Sequence, residues 1–426
     1  MIKLLVIADD FTGALDTGAQ FSKAGVSTFV STNAKFFTDE RLEVLVLDLE
    51  TRHLPPCEAC GRVRDVIVPA LRAGIPYVYK KTDSVMRGNI GSELEGLFTS
   101  ASDGPVFFVP AYPETGRTTR QGVHYIEGVP VSQTVFGNDP FNPVRDDYVP
   151  DIIANQTSRP TEVITQQDLN ELKNAAQKDK ILIFDAADKD EMALVAKAIA
   201  ALGPPRLMAG CAGFAGYLPE MLGLSLSKPE VHTLDEGLLV ACGSINATTL
   251  EQVEYASRHG FITIDLTPEQ KLTERLTETE QGRELLGSLR REYNENKQLI
   301  VMASGSNENI ALTNRLATEM GLDSNQARER IATNMGELIG ALLSFVDVGT
   351  LAVFGGDTLI SVLRSVGEDG IYPIQEIQAG IIHSAFIFQG SRMNLITKSG
   401  GFGTQDCILQ IERYIERIGK SLIKRG

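Results

Sequence analysis

Asp9 and Asp10 stand side by side, directly after an apolar run that ends at Ala8. Adjacent carboxylates at the end of a buried strand are costly unless they bind hydroxyls, a cation or a metal. Asp10 or Thr12 also suits the N-cap of a following helix. A second apolar run, 44–49, gives way to Glu50, Thr51 and Arg52. A guanidinium there can grip a carboxylate with paired hydrogen bonds, or simply close a surface ion pair. A third run, 77–80, ends in the stretch Tyr79, Lys80, Lys81, Thr82, Asp83, Ser84, Val85, Met86, Arg87, Gly88 and Asn89, with two lysines, a carboxylate, hydroxyls, an arginine and a glycine. That density suits a small polyhydroxy acid, with cations for its carboxylate and Asp83 and Ser84 for its hydroxyls. The plainer reading is a charged loop that opens a helix. The run 106–109 leads into 110–119, where prolines and a glycine restrain the backbone and Arg117 is a further candidate cation.

The second half carries a different chemistry. Its apolar runs end in turns rich in glycine, serine and threonine and poor in charge: 242–244 with Ser244, 354–358 with Gly355, Gly356, Asp357 and Thr358, and 398–403 with Gly400 and Gly401, with 303–306 as a fourth candidate. Glycines let backbone N–H groups approach phosphate oxygens, and a helix N-terminus adds a favourable dipole. The strand–Gly-Gly-Asp-Thr–helix pattern is the sharpest of the set. It lacks the Gly-Lys-Ser/Thr of a Walker A loop, and no G-x-G-x-x-G accompanies it, which argues against a dinucleotide oxidoreductase. Asp357 reads as an N-cap, as a general base, or as a carboxylate for Mg²⁺ beside a transferred phosphate.

The elements that must position these groups alternate as in α/β proteins. Strands are expected at 3–8, 27–31, 44–49, 77–80, 106–109 and 181–185, with helices at 12–24, 57–73, 92–101, 167–177 and 191–202. After a polar, proline-bearing segment at 226–236 the alternation restarts. Strands are expected there at 238–241, 261–265, 299–303, 350–354, 375–379 and 395–397, and helices at 248–259, 325–345, 358–366 and 404–423. Most strand runs are almost continuously apolar, the mark of parallel sheets covered on both faces. With 426 residues the chain is too long for one core. The expectation is two α/β domains with largely parallel sheets, 1–228 and 236–426, and a cleft between them for two ligands.

A net charge of −15 argues against a nucleic-acid partner or an anionic membrane, so any anion must be held by local cations and amides. No apolar stretch reaches the length of a membrane span and the start lacks a signal-peptide pattern, so a cytoplasmic location is expected. Five cysteines form no disulfide framework, and the Cys57–Cys60 pair has no second pair to complete a zinc site. Whether the chain forms a homo-oligomer is open at this level, because an apolar stretch alone does not separate interface from core.

The chain resembles the four-carbon acid sugar kinase family. The resemblance rests on Ala8–Ala14 (ADDFTGA), Lys81–Asn89 against K-x-D-S-T-L-R-G-N, Pro110–Thr118 against P-A-x-P-x-x-G-R-T, the turn Gly355–Thr358, and Lys398–Gly403 against K-x-G-G-F-G. Val85 and Met86 depart from that pattern, which has Thr and Leu there. The resemblance implies a kinase that uses ATP with Mg²⁺ to phosphorylate the 4-hydroxyl of D-threonate, D-erythronate or an oxo-tetronate. It implies acid binding by Asp9 or Asp10, Arg52, Lys81, Thr82, Asp83, Ser84 and Arg87. It implies ATP binding by Ser244, Gly355, Gly356, Asp357, Thr358, Gly400 and Gly401, with the metal ligands left open. Asp357 is the leading candidate for the base and Asp83 the second. The stretch Lys81–Asn89 favours the threonate and erythronate kinases over the oxo-tetronate branch. A sensor with the same two sites and no turnover is the alternative of another class.

Overall fold

A computed structural model describes residues 1–98, 104–139, 142–176, 179–225, 237–399 and 401–423, the side chains of 420–423 excepted. The chain divides into two compact units, Met1–Pro229 and Glu230–Gly426.

In the first unit the strands are β1 (Leu4–Ala8), β2 (Thr28–Ser31), β3 (Val44–Asp48), β4 (Tyr77–Lys81), β5 (Val106–Val109), β6 (Arg117–Arg120), β7 (Val123–Ile126), β8 (Val129–Pro130), β9 (Thr161–Ile164), β10 (Ile181–Phe184) and β11 (Leu207–Gly210). Strands β2, β3, β1, β4, β11, β5, β10 and β9 lie side by side in that order, every pair parallel. β6, β7 and β8 form a separate antiparallel sheet. β1 and β3 are buried along their whole length, as the apolar sequence of β1 and of β3 up to Leu47 requires, with Asp48 buried at the strand end. The chain winds from β1 to one side and from β4 to the other, so β1 and β4 flank a switch point where ligands of such sheets bind. Ala8 is level with Asp48 on one neighbour and Lys81 on the other, so three chain segments leave the sheet at one height. The helices Phe11–Lys23, Pro56–Arg72 and Ile90–Leu97 follow β1, β3 and β4.

In the second unit β12 (Leu238–Cys242), β13 (Ile262–Asp265), β14 (Gln298–Met302), β15 (Thr350–Phe354), β16 (Gly370–Gln378), β17 (Ile381–Phe388) and β18 (Ser391–Lys398) lie in the order β13, β14, β12, β15, β18, β17, β16. The first five are parallel; β18, β17 and β16 form an antiparallel meander. Cys242 is level with Met302 and Phe354, and Phe354 with Lys398, so the glycine-rich turns leave the sheet along one edge. Leu238, Val240, Phe354, Ile396, Ile408 and Ile411 belong to one core cluster that joins sheet and C-terminal helix.

Several expected elements change form. The strands expected at 375–379 and 395–397 are parts of the longer meander strands, whose polar residues hid their length and direction. The helix expected over 92–101 ends at Leu97, and 99–101 lie outside the described residues. The helix expected over 167–177 is a 3-10 turn, Asp168–Glu171, and a short helix, Leu172–Ala175, with 177 outside the described residues. The segment 226–236 is likewise outside them.

Candidate functional site

Asp9 is buried at the end of β1 while Asp10 starts the next helix, so the two carboxylates divide their work. Asp10 caps Phe11–Lys23 by accepting from the Gly13 amide at 2.9 Å. It also accepts from Arg52 Nη1 at 2.8 Å, and Asp9 accepts from Arg52 Nε at 2.8 Å. Arg52 Nη2 lies 3.5 Å from Asp83 Oδ1. One guanidinium therefore faces carboxylates from β1 and from the segment after β4. Arg87 completes the set: its Nε and Nη2 donate to Asp83 at 2.9 and 3.2 Å, and its Nη1 reaches Asp139 at 3.5 Å.

Charge compensation sets the protonation states. Burial pushes the Asp83 carboxyl up, but Arg52 and Arg87 outweigh it and hold it far below the usual carboxylate range. Asp9 is also held low, against its burial, by Arg52, Lys81 and Lys80. Burial pulls the Lys81 ammonium down, yet Asp9 and Asp10 leave it above its ordinary value. Lys81 lies against Gly13, where an added Cβ would come 2.5 Å from Nζ. Carboxylates this acidic are weak bases. Asp83 is better suited to orienting guanidinium groups than to accepting a proton.

The cluster is not saturated. Asp9 Oδ1 and Thr82 Oγ1 are buried with no hydrogen-bond partner among the described residues. Buried polar atoms are nearly always satisfied, so these two hold hydrogen-bonding capacity that a water or a ligand would meet. Ser84 is half-buried, and its carbonyl accepts from His124 Nε2 at 3.0 Å. Val85 and Met86 are buried, so an apolar side chain packs where the family pattern has a hydroxyl. Arg117 donates to the Thr115 carbonyl, and its buried Nε has no hydrogen-bond partner among the described residues. Cys57 and Cys60 are free thiols on the helix Pro56–Arg72.

Lys80 and Asn89 belong to the stretch singled out in the sequence, but the contacts they make were not read there. Lys80 is fully buried and pairs with Glu93 at 3.2 Å, and Thr51 donates its hydroxyl to the same carboxylate. Asn89 donates to the Thr51 and Leu54 carbonyls, both at 2.8 Å. A lysine inside an apolar strand is the one signal in the chain that could have pointed to this layer.

In the second unit the glycine turn is shaped by close approach. Gly355 has φ 118°, and its amide donates to the Lys398 carbonyl at 3.3 Å. A Cβ on Gly243 would fall 1.8 Å from Thr358 Oγ1, so the turn after β12 closes on the first turn of the helix Gly356–Ser365 only because residue 243 is glycine. Ser244 is half-buried beside them, with its amide on the Phe354 carbonyl at 3.2 Å. Gly355 caps this helix. Asp357, read from the sequence as a possible cap, lies instead within its first turn, exposed and 3.8 Å from Arg328. Gly401 is exposed, and Gly400 lies outside the described residues. Unpredicted residues brace this edge too. Gln252 is buried and donates to the carbonyls of Phe402, Gly403 and Thr404, each at 3.0 Å. Lys398 Nζ donates to Thr249 Oγ1 at 3.2 Å.

Among the described residues no group of three or more His, Cys, Asp and Glu side chains could hold a metal ion, and no helix is long and apolar enough to cross a membrane.

Residues 4–218 match the model of a sugar-binding N-terminal domain and 239–408 that of a nucleotide-binding C-terminal domain. The chain is 29% identical over 432 residues to a D-threonate kinase of Salmonella typhimurium, covering 98% of this chain and 99% of that one. It is 24% identical over 435 residues to a D-erythronate kinase of Heliobacterium modesticaldum, covering 97% of each. It is 24% identical over 440 residues to a 3-oxo-tetronate kinase of Salmonella typhimurium, covering 98% of this chain and all of the other. A crystal structure from Salmonella typhimurium LT2, described as that of a candidate tRNA synthase, superposes with a TM-score of 0.80 at 24% identity, over 97% of this chain and 100% of that one. At that identity the likeness speaks for the fold.

Proposed function

The chain belongs to the four-carbon acid sugar kinase family, and from that premise we propose that it transfers the γ-phosphoryl group of ATP to the 4-hydroxyl of D-threonate, with D-erythronate next and a 3-oxo-tetronate the alternative. It is a sugar-acid kinase. The observation that carries the substrate reading is the unmet capacity around Arg52. Among the described residues Asp9 Oδ1 and Thr82 Oγ1 lack partners, and beside them the buried Lys81 ammonium is held charged by Asp9 and Asp10. Carboxylate oxygens there accept from substrate hydroxyls, while Lys81, Arg52 and Arg87 offer charge to the substrate carboxylate. Ser84 adds a hydroxyl.

The amides of Gly356, Asp357 and Thr358 at the helix N-terminus, with that of Gly401, would hold the phosphates, while Gly355 shapes the turn, Ser244 adds its hydroxyl and Gly400 is the remaining candidate. Mg²⁺ typically takes one or two carboxylates together with substrate phosphates and waters. The exposed Asp357 carboxylate fits that part, and the ion would supply charge neutralisation during transfer. Asp357 also takes the proton of the attacking hydroxyl. The reading is tested by coupled ADP release over the D and L forms of threonate and erythronate and over the 3-oxo acids. D-threonate should turn over fastest, and Asp357→Asn should lower turnover by about 10²-fold or more while ADP still binds. Activity on none of these acids would overturn the reading; activity on an oxo acid alone would move the chain to that branch.

A further inference from the structure

Arg52 leaves the sheet on a segment with no strand partner, so something outside the strand ladder must fix its aim. On one side the Thr51 and Arg52 amides donate to the Asp9 carbonyl, at 3.0 and 3.2 Å. On the other side the carbonyls of the same turn accept from one side chain. Asn89 Nδ2 lies 2.8 Å from Thr51 O, 2.8 Å from Leu54 O and 3.5 Å from Arg52 O. Four residues on, Glu93 takes the Thr51 hydroxyl from the same face of its helix.

The approach depends on Gly88, at φ 87°, where a Cβ would stand 3.0 Å from Arg52 Cγ and 3.3 Å from its carbonyl. Gln156 clamps this turn from behind: its Nε2 donates to Gly88 O at 3.0 Å and its Oε1 accepts from the Ser92 amide at 3.2 Å. Asn89 also follows directly on the segment that carries Asp83 and Arg87. It thus ties together the two stretches that hold the charged cluster, without touching a member's side chain.

We infer that Asn89 is a positioning residue for acid binding, acting through the 51–54 turn to hold the Arg52 guanidinium against Asp9 and Asp10. The inference rests on the acid-binding reading of that cluster. It requires a side-chain donor: an ionised aspartate at 89 accepts only, and a serine is too short to span both carbonyls.

The test is steady-state kinetics on Asn89→Ser and Asn89→Asp, alone and combined with Arg52→Met. Each single variant should raise KM for the acid about 10-fold or more and leave KM for ATP within about twofold. In the Arg52→Met background the same change should have almost no further effect. An unchanged KM for the acid, an equal rise for both substrates, or an equal rise in both backgrounds would overturn the inference. Hydrogen exchange of the ligand-free protein gives a readout independent of turnover. Amides in 49–55 should exchange faster in Asn89→Ser while those of 4–8 do not, and unchanged exchange in 49–55 counts against the inference. A wild-type protein inactive on every acid would sink the kinase reading alone, leaving exchange to decide on Asn89.

Discussion

Lys80 and Lys81 are neighbours on β4 yet serve opposite faces of the sheet, because successive strand residues point to opposite sides. Lys80 turns to Glu93 on one face, and Lys81 to Gly13 and the two aspartates on the other. Removing one member of a buried pair such as Lys80–Glu93 leaves an uncompensated charge and typically costs about 3–5 kcal/mol. His124 shows a different economy. A carbonyl can only accept, so the Ser84 contact puts the ring proton on Nε2 and leaves Nδ1 to accept from Thr119 at 3.1 Å. Burial pulls this imidazole down to about 4, against Ser84 and Asp83, which favour its charged form. The sign follows: unfolded chain takes up the proton near pH 6.5 and folded chain only near 4, so stability falls as pH drops through that window and is full above it. The expected loss is about 3 kcal/mol between pH 6.5 and 4. Urea unfolding of wild type and His124→Gln at steps across that range should show a steeper fall in the wild type; parallel curves would refute the assignment. The strand-end charges were legible in the chain because each interrupts an apolar run. Glu93 and His124 were not, and Asn89 was legible only as the end of a motif, since their value lies in contacts with residues 35 to 42 positions away, such as Leu54, Thr51 and Ser84.

At the scale of elements, the glycine turn proposed to hold phosphate is only as well placed as the helix it opens. Gly356–Ser365 packs against the helix Ser324–Leu343 through Gly336 and Gly340. A Cβ on Gly336 would lie 2.5 Å from the Ser361 carbonyl carbon and 2.6 Å from its Cβ, and Ser365 Oγ donates to the Gly336 carbonyl at 2.9 Å. Backbone cannot give way as a flexible side chain can. Gly336→Ala should therefore lower stability by about 1–3 kcal/mol and weaken ADP binding by tilting the turn. Gly287 on the helix Glu280–Asn296 has nothing within 4 Å of a built Cβ, so Gly287→Ala should be neutral or stabilise by up to about 1 kcal/mol. Thermal melts and ADP titrations of the two variants make the comparison, and equal behaviour would dismiss the packing argument. The glycines at 336 and 340 read as ordinary helix residues in the sequence, because a close approach has no local signature. Strand β11, of composition Leu-Met-Ala-Gly, and the helix Glu280–Asn296, with few apolar residues, were not named because their composition carries too little apolar pattern. Strands with long apolar runs, β1, β3 and β15, were legible throughout.

At the scale of the whole molecule, each unit has its own run of parallel strands and its own kind of turn, charged in the first and glycine-rich in the second. That contrast was visible in the chain because charge and glycine content are local properties. The binding energy of each ligand should then appear where its own turns are. A ligand that binds only native protein stabilises it by RT ln(1 + [L]/Kd), about 2.7 kcal/mol at 100-fold excess over Kd. In hydrogen exchange, D-threonate alone should protect amides in 9–13, 51–54 and 81–92. The backbone there gains satisfied neighbours in Asp9, Thr82 and Lys81, while 243–246 and 355–360 should exchange as in free protein. ADP alone should do the reverse, with protection at 243–246 and 355–360, where amides meet phosphate oxygens. The acid's footprint tests the charged turns and the nucleotide's tests the glycine turns, so each can fail separately. Protection of 355–360 by D-threonate with none at 51–54 would mean that the charged cluster around Arg52 is structural and that the acid binds elsewhere.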